Sequence, residues 1–330
     1  MTTARQIIGM IRSHAVGDNE RFLSIAEEIA NEALRAGKNR VGEDIHNLLA
    51  NVRANPRENS TQLQPTPLAK PRGELANLLK VTYPETRLAD LVLNAELRRK
   101  IERIVREQRE APALEAHGLA PRKRFLFSGP PGTGKTMTAA AIAGELSMPL
   151  FTILLDGVIN KYMGESAAKL RLIFDSMHHS RGVYFFDEVD ALATARGNEN
   201  DVGEARRVLT SFLQFLEEDK SRSIVIAATN LRMLLDPAIF RRFQGAFAYA
   251  MPNVEEARAV LRHHLLVFER DDLKWELIDQ EAAGLSQADL AAAADDAARD
   301  AVLDQQGDLT TDILIRSLRD RHAIHAIEER

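Results

Sequence analysis

The sequence predicts an α/β fold, a parallel sheet flanked by helices, with a helical lid at its C-terminal end and a small helical domain before it. Three observations carry that expectation. Between 125 and 249, short apolar segments (Phe125–Ser128, Leu150–Leu154, Gly182–Phe186, Ser223–Ala228 and Ala246–Tyr249) alternate with stretches of helical periodicity, a pattern that builds a parallel sheet covered by helices. The first segment runs into GPPGTGKT, 129–136, and then into an alanine-rich stretch, which reads as strand, loop and helix. From Asn253 onward the pattern is helical only, with capping-box signatures at Asn253…Glu256 and Ser286…Asp289.

Ahead of the sheet, residues 1–54 read as a helical domain. Ile7, Ile8 and Ile11, then Phe22, Ile25, Ile29 and Ala33, then Val41, Ile45, Leu48, Leu49 and Val52 recur at helical spacing, with breaks at Gly17-Asp18 and Gly37. A partner-docking module and a packing unit of an oligomer fit this periodicity equally. In NPRENSTQLQPTPLAKPRG, 55–73, four prolines among polar residues forbid a regular core and give a tether. The linker is placed at 55–84, the α/β domain at 85–252 and the lid at 253–330. Within 95–110, Leu97, Ile101, Ile104 and Val105 share one helical stripe, and arginines and glutamates occupy the rest. A basic face there would suit nucleic acid, but the interspersed glutamates favour a solvated face.

Bulk composition narrows the chemistry. A chain of 330 residues, 45% hydrophobic and 28% charged, suits two or three soluble domains. No run approaches the roughly eighteen apolar residues of a membrane helix, and the first residues lack a signal-peptide pattern, so the expected compartment is the cytoplasm. With no cysteine, disulfides, thiolate zinc sites and thiol nucleophiles are excluded. A net charge of −5 and a pI near 6.0 disfavour a nucleic-acid coat.

GPPGTGKT satisfies every fixed position of G-x-x-x-x-G-K-[ST]: Gly129, Gly134, Lys135 and Thr136. Glycines let backbone N–H groups converge on phosphate oxygens at a helix N-terminus. Lys135 would bridge the outer phosphates, and the Thr136 hydroxyl suits Mg²⁺, which prefers hard oxygen ligands. About fifty residues on, GVYFFDEVDAL reads as a buried strand ending in Asp187 and Glu188. Asp187 is the metal-side candidate and Glu188 the catalytic base, on the expectation that successive strand residues point to opposite sides. SIVIAATN ends a third strand, placed between the other two, where Asn230 would meet the water or the terminal phosphate. Beyond it Arg241 and Arg242 stand adjacent, and a guanidinium from a neighbouring subunit stabilises phosphoryl transfer.

Taken together, GPPGTGKT, FFDEVDAL, AATN and DPAIFRRF, in this order, resemble the AAA+ ATPase superfamily over roughly residues 85–320. The RRF pair is more similar to the spastin and katanin branch than to the R-x-x-R spacing of the membrane proteases. The chain also looks like small bacterial AAA ATPases, some of them encoded beside a subtilisin-like protease. The resemblance implies ATP and Mg²⁺ as cofactors and a homo-oligomer, a hexamer in that branch, with active sites between subunits. It implies nucleotide contacts from Gly129, Pro130, Pro131, Gly132, Thr133, Gly134, Lys135, Thr136, Met137 and Asp187, with Thr136 and Asp187 on the metal. In RLADLVL, 87–93, it implies that Leu91 and Val92 hold the adenine, with Leu93 where a glycine often follows. Glu188 would activate water, Asn230 sense the γ-phosphate, and Arg241 and Arg242 reach the next protomer. NKYMGESAAKLRLIF, 160–174, resembles the first pore loop, so that Lys161, Tyr162 and Met163 face a central channel; 196–207 would hold the second pore loop and the start of its helix. AGLSQADL, 283–290, resembles the family's G-x-S-G-A-D-L, with Gln287 in place of glycine and the approach of that helix to the nucleotide therefore in question.

Two functions are compatible with these features. One is an ATP-driven motor that remodels or threads a protein, with a protein substrate or effector, a protease included, as partner. The other is a nucleotide-dependent switch or loader acting on an effector or a DNA-bound complex without translocation.

Overall fold

The computed structural model describes residues 73–158, 165–192, 199–230, 240–268, 273–304 and 307–328, together with Glu27 and Ala30, which are helical. The chain divides into two compact units, Met1–Leu68 and Ala69–Arg330. The elements that follow belong to the second.

A helical turn α1 (Leu75–Leu78) leads into β1 (Leu79–Thr82), α2 (Ala95–Arg109) and α3 (Ala111–Ala116). Then β2 (Arg124–Ser128), α4 (Lys135–Glu145), β3 (Leu150–Ile153), the turn α5 (Leu155–Val158), α6 (Glu165–His179) and β4 (Val183–Phe186) alternate. The domain closes with α7 (Glu199–Glu218), β5 (Ile224–Thr229) and β6 (Gly245–Ala248). The lid is α8 (Val254–His264), α9 (Trp275–Ala282), α10 (Gln287–Asp304) and α11 (Thr311–Glu328). No described helix is long and apolar enough to cross a membrane.

The sheet order is β1-β3-β4-β5-β2-β6. Five strands are parallel, and β1 pairs antiparallel with β3 in the register Leu79↔Ile153 to Thr82↔Leu150. The expected parallel sheet gains one antiparallel edge strand, and the stretch assigned to the linker, 55–84, runs too far at its C-terminal end, because Leu79–Thr82 is that edge strand, paired along its length with β3. Phe151, Tyr184, Phe186 and Val225 pack on one face of the sheet with α6 and α7. Phe125, Phe127, Phe185 and Ile226 pack on the other with α2 and α4. Every residue of β4 and β5 is buried, as strands covered on both faces require.

The predicted α2 stripe is buried throughout, Leu97, Ile101, Ile104 and Val105 being at most 6% exposed. Its start is set by Asn94, whose side-chain oxygen accepts from the Leu97 N–H at 2.8 Å. Three of the helix's cations pair with glutamates four residues away, Lys100 with Glu96, Arg103 with Glu107 and Arg106 with Glu110, and Arg109 pairs with Glu145. Glu107 also takes both prongs of Arg122. This face is a lattice of alternating signs and not a basic stripe.

The start of β2 is fastened to the end of α7. Lys123 Nζ donates to the Asp219 carboxylate at 2.6 Å, to the Asp219 carbonyl at 2.9 Å and to the Ser221 carbonyl at 2.6 Å. The Asp219 side chain is 1% exposed. Burial works to raise its carboxyl, but the Lys123 ammonium and the Ser221 N–H and hydroxyl outweigh that and hold it below its ordinary value of 3.8. A carboxyl depressed by folding adds stability above its unfolded pKa and gives it up as the pH falls through the folded one. Lys123→Met leaves a buried carboxylate without its cation and is expected to cost about 3–5 kcal/mol at neutral pH. Urea melts of wild type and variant over a falling series of pH values measure this: the gap should narrow as the pH drops through the folded pKa of Asp219, and a gap independent of pH contradicts the assignment.

Candidate active site

The loop after β2 turns where the chain can tolerate left-handed backbone. Gly134, with φ +91°, is the N-cap of α4, and Gly132 has φ +72°. A β-carbon on Gly132 would sit 2.3 Å from Ser286 Oγ, so the bare backbone is what lets the lid touch the loop. The Ala288 N–H completes the contact by donating to the Gly132 carbonyl at 3.0 Å. Lys135 is buried, and its ammonium donates to the carbonyls of Gly129 at 2.8 Å and Pro130 at 2.7 Å. Thr133 Oγ1 donates to the same Pro130 carbonyl at 2.8 Å. Burial pushes the Lys135 ammonium down, opposed by the charges of Asp187, Asp190 and Glu188.

Asp187 follows β4. One of its carboxylate oxygens accepts from Thr136 Oγ1 at 3.1 Å and the other from the Glu188 N–H at 3.0 Å. Two cis ligands of octahedral Mg²⁺ lie about 2.9 Å apart, given metal–oxygen distances near 2.05 Å. The Thr136 and Asp187 oxygens therefore fit that ion. Among the described residues no cluster of three or more His, Cys, Asp or Glu side chains would hold a metal; a cation placed between Thr136 and Asp187 would need its other ligands from phosphate and water.

Glu188 corrects the expected geometry. The strand ends at Phe186, so Asp187 and Glu188 do not diverge by strand alternation. Glu188 instead has φ +51°, a left-handed conformation that costs a non-glycine residue roughly 1–3 kcal/mol. The surrounding contacts impose it: Val189 is buried, and the Glu188 carbonyl accepts from the Ala191 N–H at 2.8 Å. This turn leaves the Glu188 side chain exposed at the mouth of the cleft while Asp187 faces Thr136. Asn230 follows β5, between β2 and β4 in the sheet as expected. Its backbone N–H donates to Asp190 Oδ1 at 3.4 Å. Asp190, buried beneath the site, was not singled out by sequence reasoning, although it is the last acid of DEVD.

A cleft of about 370 Å³ unites these groups. Of the predicted residues, Leu91, Val92, Pro131, Gly132, Gly134, Lys135, Thr136, Met137, Asp187, Glu188 and Asn230 line it. Gly129, Pro130 and Thr133 brace it from behind through the bonds above. Leu91 packs into the sheet core and Val92 against the lid core, so this segment threads between the two. The lid side was read only in part: beyond the 283–290 stretch, which contains Ala288, the lid also lines the cleft with Val260, His263 and Ala291. Gln287, where the resemblance expects glycine, extends its side chain so that Nε2 donates to the Val92 carbonyl at 3.0 Å. The start of the helix meets the phosphate loop at Gly132 with glutamine at this position. Ser286 and Asp289 form the expected capping box, with the Asp289 N–H to Ser286 Oγ at 3.2 Å and the Ser286 N–H to Asp289 Oδ2 at 3.1 Å.

Arg241 and Arg242 do not enter the cleft. Arg241 is exposed, and Arg242 pairs with Glu217 on α7. Lys161, Tyr162 and Met163 lie outside the described residues, as do 193–198; from 199 the proposed second pore segment is already helix.

Comparison with known proteins agrees with this architecture. The model of the "ATPase family associated with various cellular activities (AAA)" matches residues 125–249. The uncharacterized AAA family ATPase y4kL of Sinorhizobium fredii is 37% identical over 240 residues, 72% of this chain and 71% of that protein. The proteasome-activating nucleotidase of Methanothermobacter thermautotrophicus is 34% identical over 228 residues, 64% of this chain, and the match spans about half of that protein, 55%. Among solved structures, the FIGL-1 AAA domain superposes with a TM-score of 0.60 over 81% of this chain and 97% of its own, at 24% identity, a likeness of fold. With the phosphate loop, the acidic strand end and the helical lid all in place, the chain belongs to the AAA family of ATPases and is an ATP-hydrolysing enzyme.

Proposed function

We propose that this ATPase works as a ring, a hexamer in the cytoplasm, whose active sites are shared between subunits and whose turnover remodels or threads a protein. Within one subunit, Lys135 would leave the Gly129 and Pro130 carbonyls for the outer phosphates. Glu188 accepts the proton of the attacking water as its oxygen bonds to the γ-phosphorus and the bond to the bridging oxygen breaks. Asn230 orients that water or the phosphate beside it. When bound between Thr136 and Asp187, Mg²⁺ supplies positive charge against the phosphates.

The observation that carries the shared site is a shortage of positive charge. Among the described residues lining the cleft, Lys135 is the only lysine or arginine, yet the transferring phosphoryl group spreads negative charge over its equatorial oxygens. Arg241 and Arg242 of a neighbouring copy supply the missing charge in this reading. Kinship with a nucleotidase named for activating a proteasome supports a protein partner, proteases included, and the paired charges of α2 speak against nucleic acid. Tyr162 and Met163, flanked by Lys161, are the residues that would grip an extended polypeptide, since ring and thioether surfaces contact any sequence.

Mixing tests the arrangement. Lys135→Ala subunits and Arg241→Ala/Arg242→Ala subunits, each inactive alone, are expected to regain part of their ATP turnover when combined, with Tyr162→Ala rings turning over ATP but failing to extract a tagged polypeptide. Mixtures that co-assemble and stay inactive at every ratio reject the shared site, and undiminished extraction by the tyrosine variant rejects threading.

A further inference from the structure

Gln287 occupies an unusual position for a polar side chain. It opens α10 at the lid wall of the cleft, half-buried, and stretches to the carbonyl of Val92, a residue 195 positions earlier in the chain. The orientation of its amide is fixed by chemistry: a carbonyl acceptor takes the –NH₂ end, and the reverse would set two oxygens against each other. Its Oε1 turns the other way, to 3.2 Å from where a β-carbon on Gly134 would be. Leu91, Val92, Val260 and Ala291 give the cleft an apolar lining, of the kind that accepts a planar ring. The Val92 carbonyl and this carboxamide are hydrogen-bonding groups of the same lining, which also holds His263 and His264. Nearby His264 is engaged elsewhere, its Nδ1 lying 3.0 Å from Asp295 Oδ1.

We infer that Gln287 reads the nucleotide base. An –NH₂ group on the Val92 carbonyl occupies the place that the amino group of a 6-aminopurine would take. Once the base arrives, the carboxamide is released to offer its own acceptor and donor side by side. That pair matches the N6 donor and N7 acceptor of adenine, as glutamine does in bidentate recognition of adenine elsewhere. Guanine presents O6 and N7, two acceptors, so its oxygen would face the Val92 carbonyl and one of its bonds would go unmade. The selectivity for adenine thus falls on a residue at the start of the lid, where the sequence departs from the glycine of its family. This rests on the reading of the cleft as the ATP site.

Calorimetric titration of the full chain with ADP, GDP and purine riboside diphosphate, which lacks the 6-amino group, tests it without turnover. Wild type should prefer ADP over both other nucleotides. Gln287→Ala, a helix-favouring change at the first turn of α10, should weaken ADP by about five- to a hundredfold and GDP by much less, so that the preference collapses; Gln287→Glu, which keeps the length but loses the donor, should do the same. A preference for ADP unchanged in both variants, or tighter ADP binding once the amide is gone, overturns the assignment and leaves Gln287 as a mere strap on Val92. Lys135→Ala serves as the control on the cleft itself: if it leaves ADP affinity intact, or wild type binds none of the three, the nucleotide site lies elsewhere and the inference falls with it.

Discussion

Glu188→Gln is expected to lose ATP turnover by about a hundred- to ten-thousandfold, the span ordinarily supplied by a positioned general base, while ATP affinity stays close to that of wild type. The substitution removes a proton acceptor and little else. Glutamine has the same length, the backbone at 188 keeps its left-handed turn, and the Glu188 N–H bond to Asp187 does not involve the side chain. Asp187, bonded to Thr136, remains to hold the metal side of the site. Phosphate release under saturating ATP and equilibrium binding of the same nucleotide separate the two quantities. Turnover within a few-fold of wild type would remove Glu188 from the role of base; loss of affinity together with turnover would assign it to binding.

The second large effect concerns the arginine pair, and the structure divides it. Arg242 is held to Glu217 on α7 of its own chain, whereas Arg241 is exposed and, among the described residues, makes no ion pair. A guanidinium that acts on a neighbour's phosphate must be free to reach it, and removing one costs on the order of a thousandfold or more in turnover. Arg241→Ala is therefore expected to show the full loss in the assembled protein with nucleotide binding preserved. Arg242→Ala should lose less, because Arg242 must first give up Glu217, although the stability worth of that exposed pair is at most about 1 kcal/mol. Steady-state turnover at concentrations above and below assembly decides between them. Equal losses would deny the division of labour, and two active variants would mean that each cleft completes its own charge.

Most of the sheet was readable in the sequence because its strands are apolar runs buried on both sides, bounded by loops; Val183–Phe186 and Ile224–Thr229 fall within a residue or two of their expected limits. The phosphate loop was readable because glycine, lysine and hydroxyl must stand at fixed spacing to serve one ligand. What escaped was set by contacts between distant parts of the chain. LKVT comes soon after a proline-rich sequence and carries a four-residue pattern too short to declare itself, and it is a strand through its pairing with β3. The turn at Glu188 escaped for a different reason: a left-handed residue normally announces itself as glycine or asparagine, and here it is a glutamate. The lid wall escaped because Val260 and Ala291 look like any core residues of a helix until the fold brings them opposite Val92.

The bonds from the Lys135 ammonium to Gly129 and Pro130 have a consequence for how fast fuel can be captured. A loop braced by its own lysine keeps its curvature between rounds of catalysis, so an arriving triphosphate swaps one set of acceptors for another without first having to freeze a wandering chain. Little ordering entropy then opposes capture.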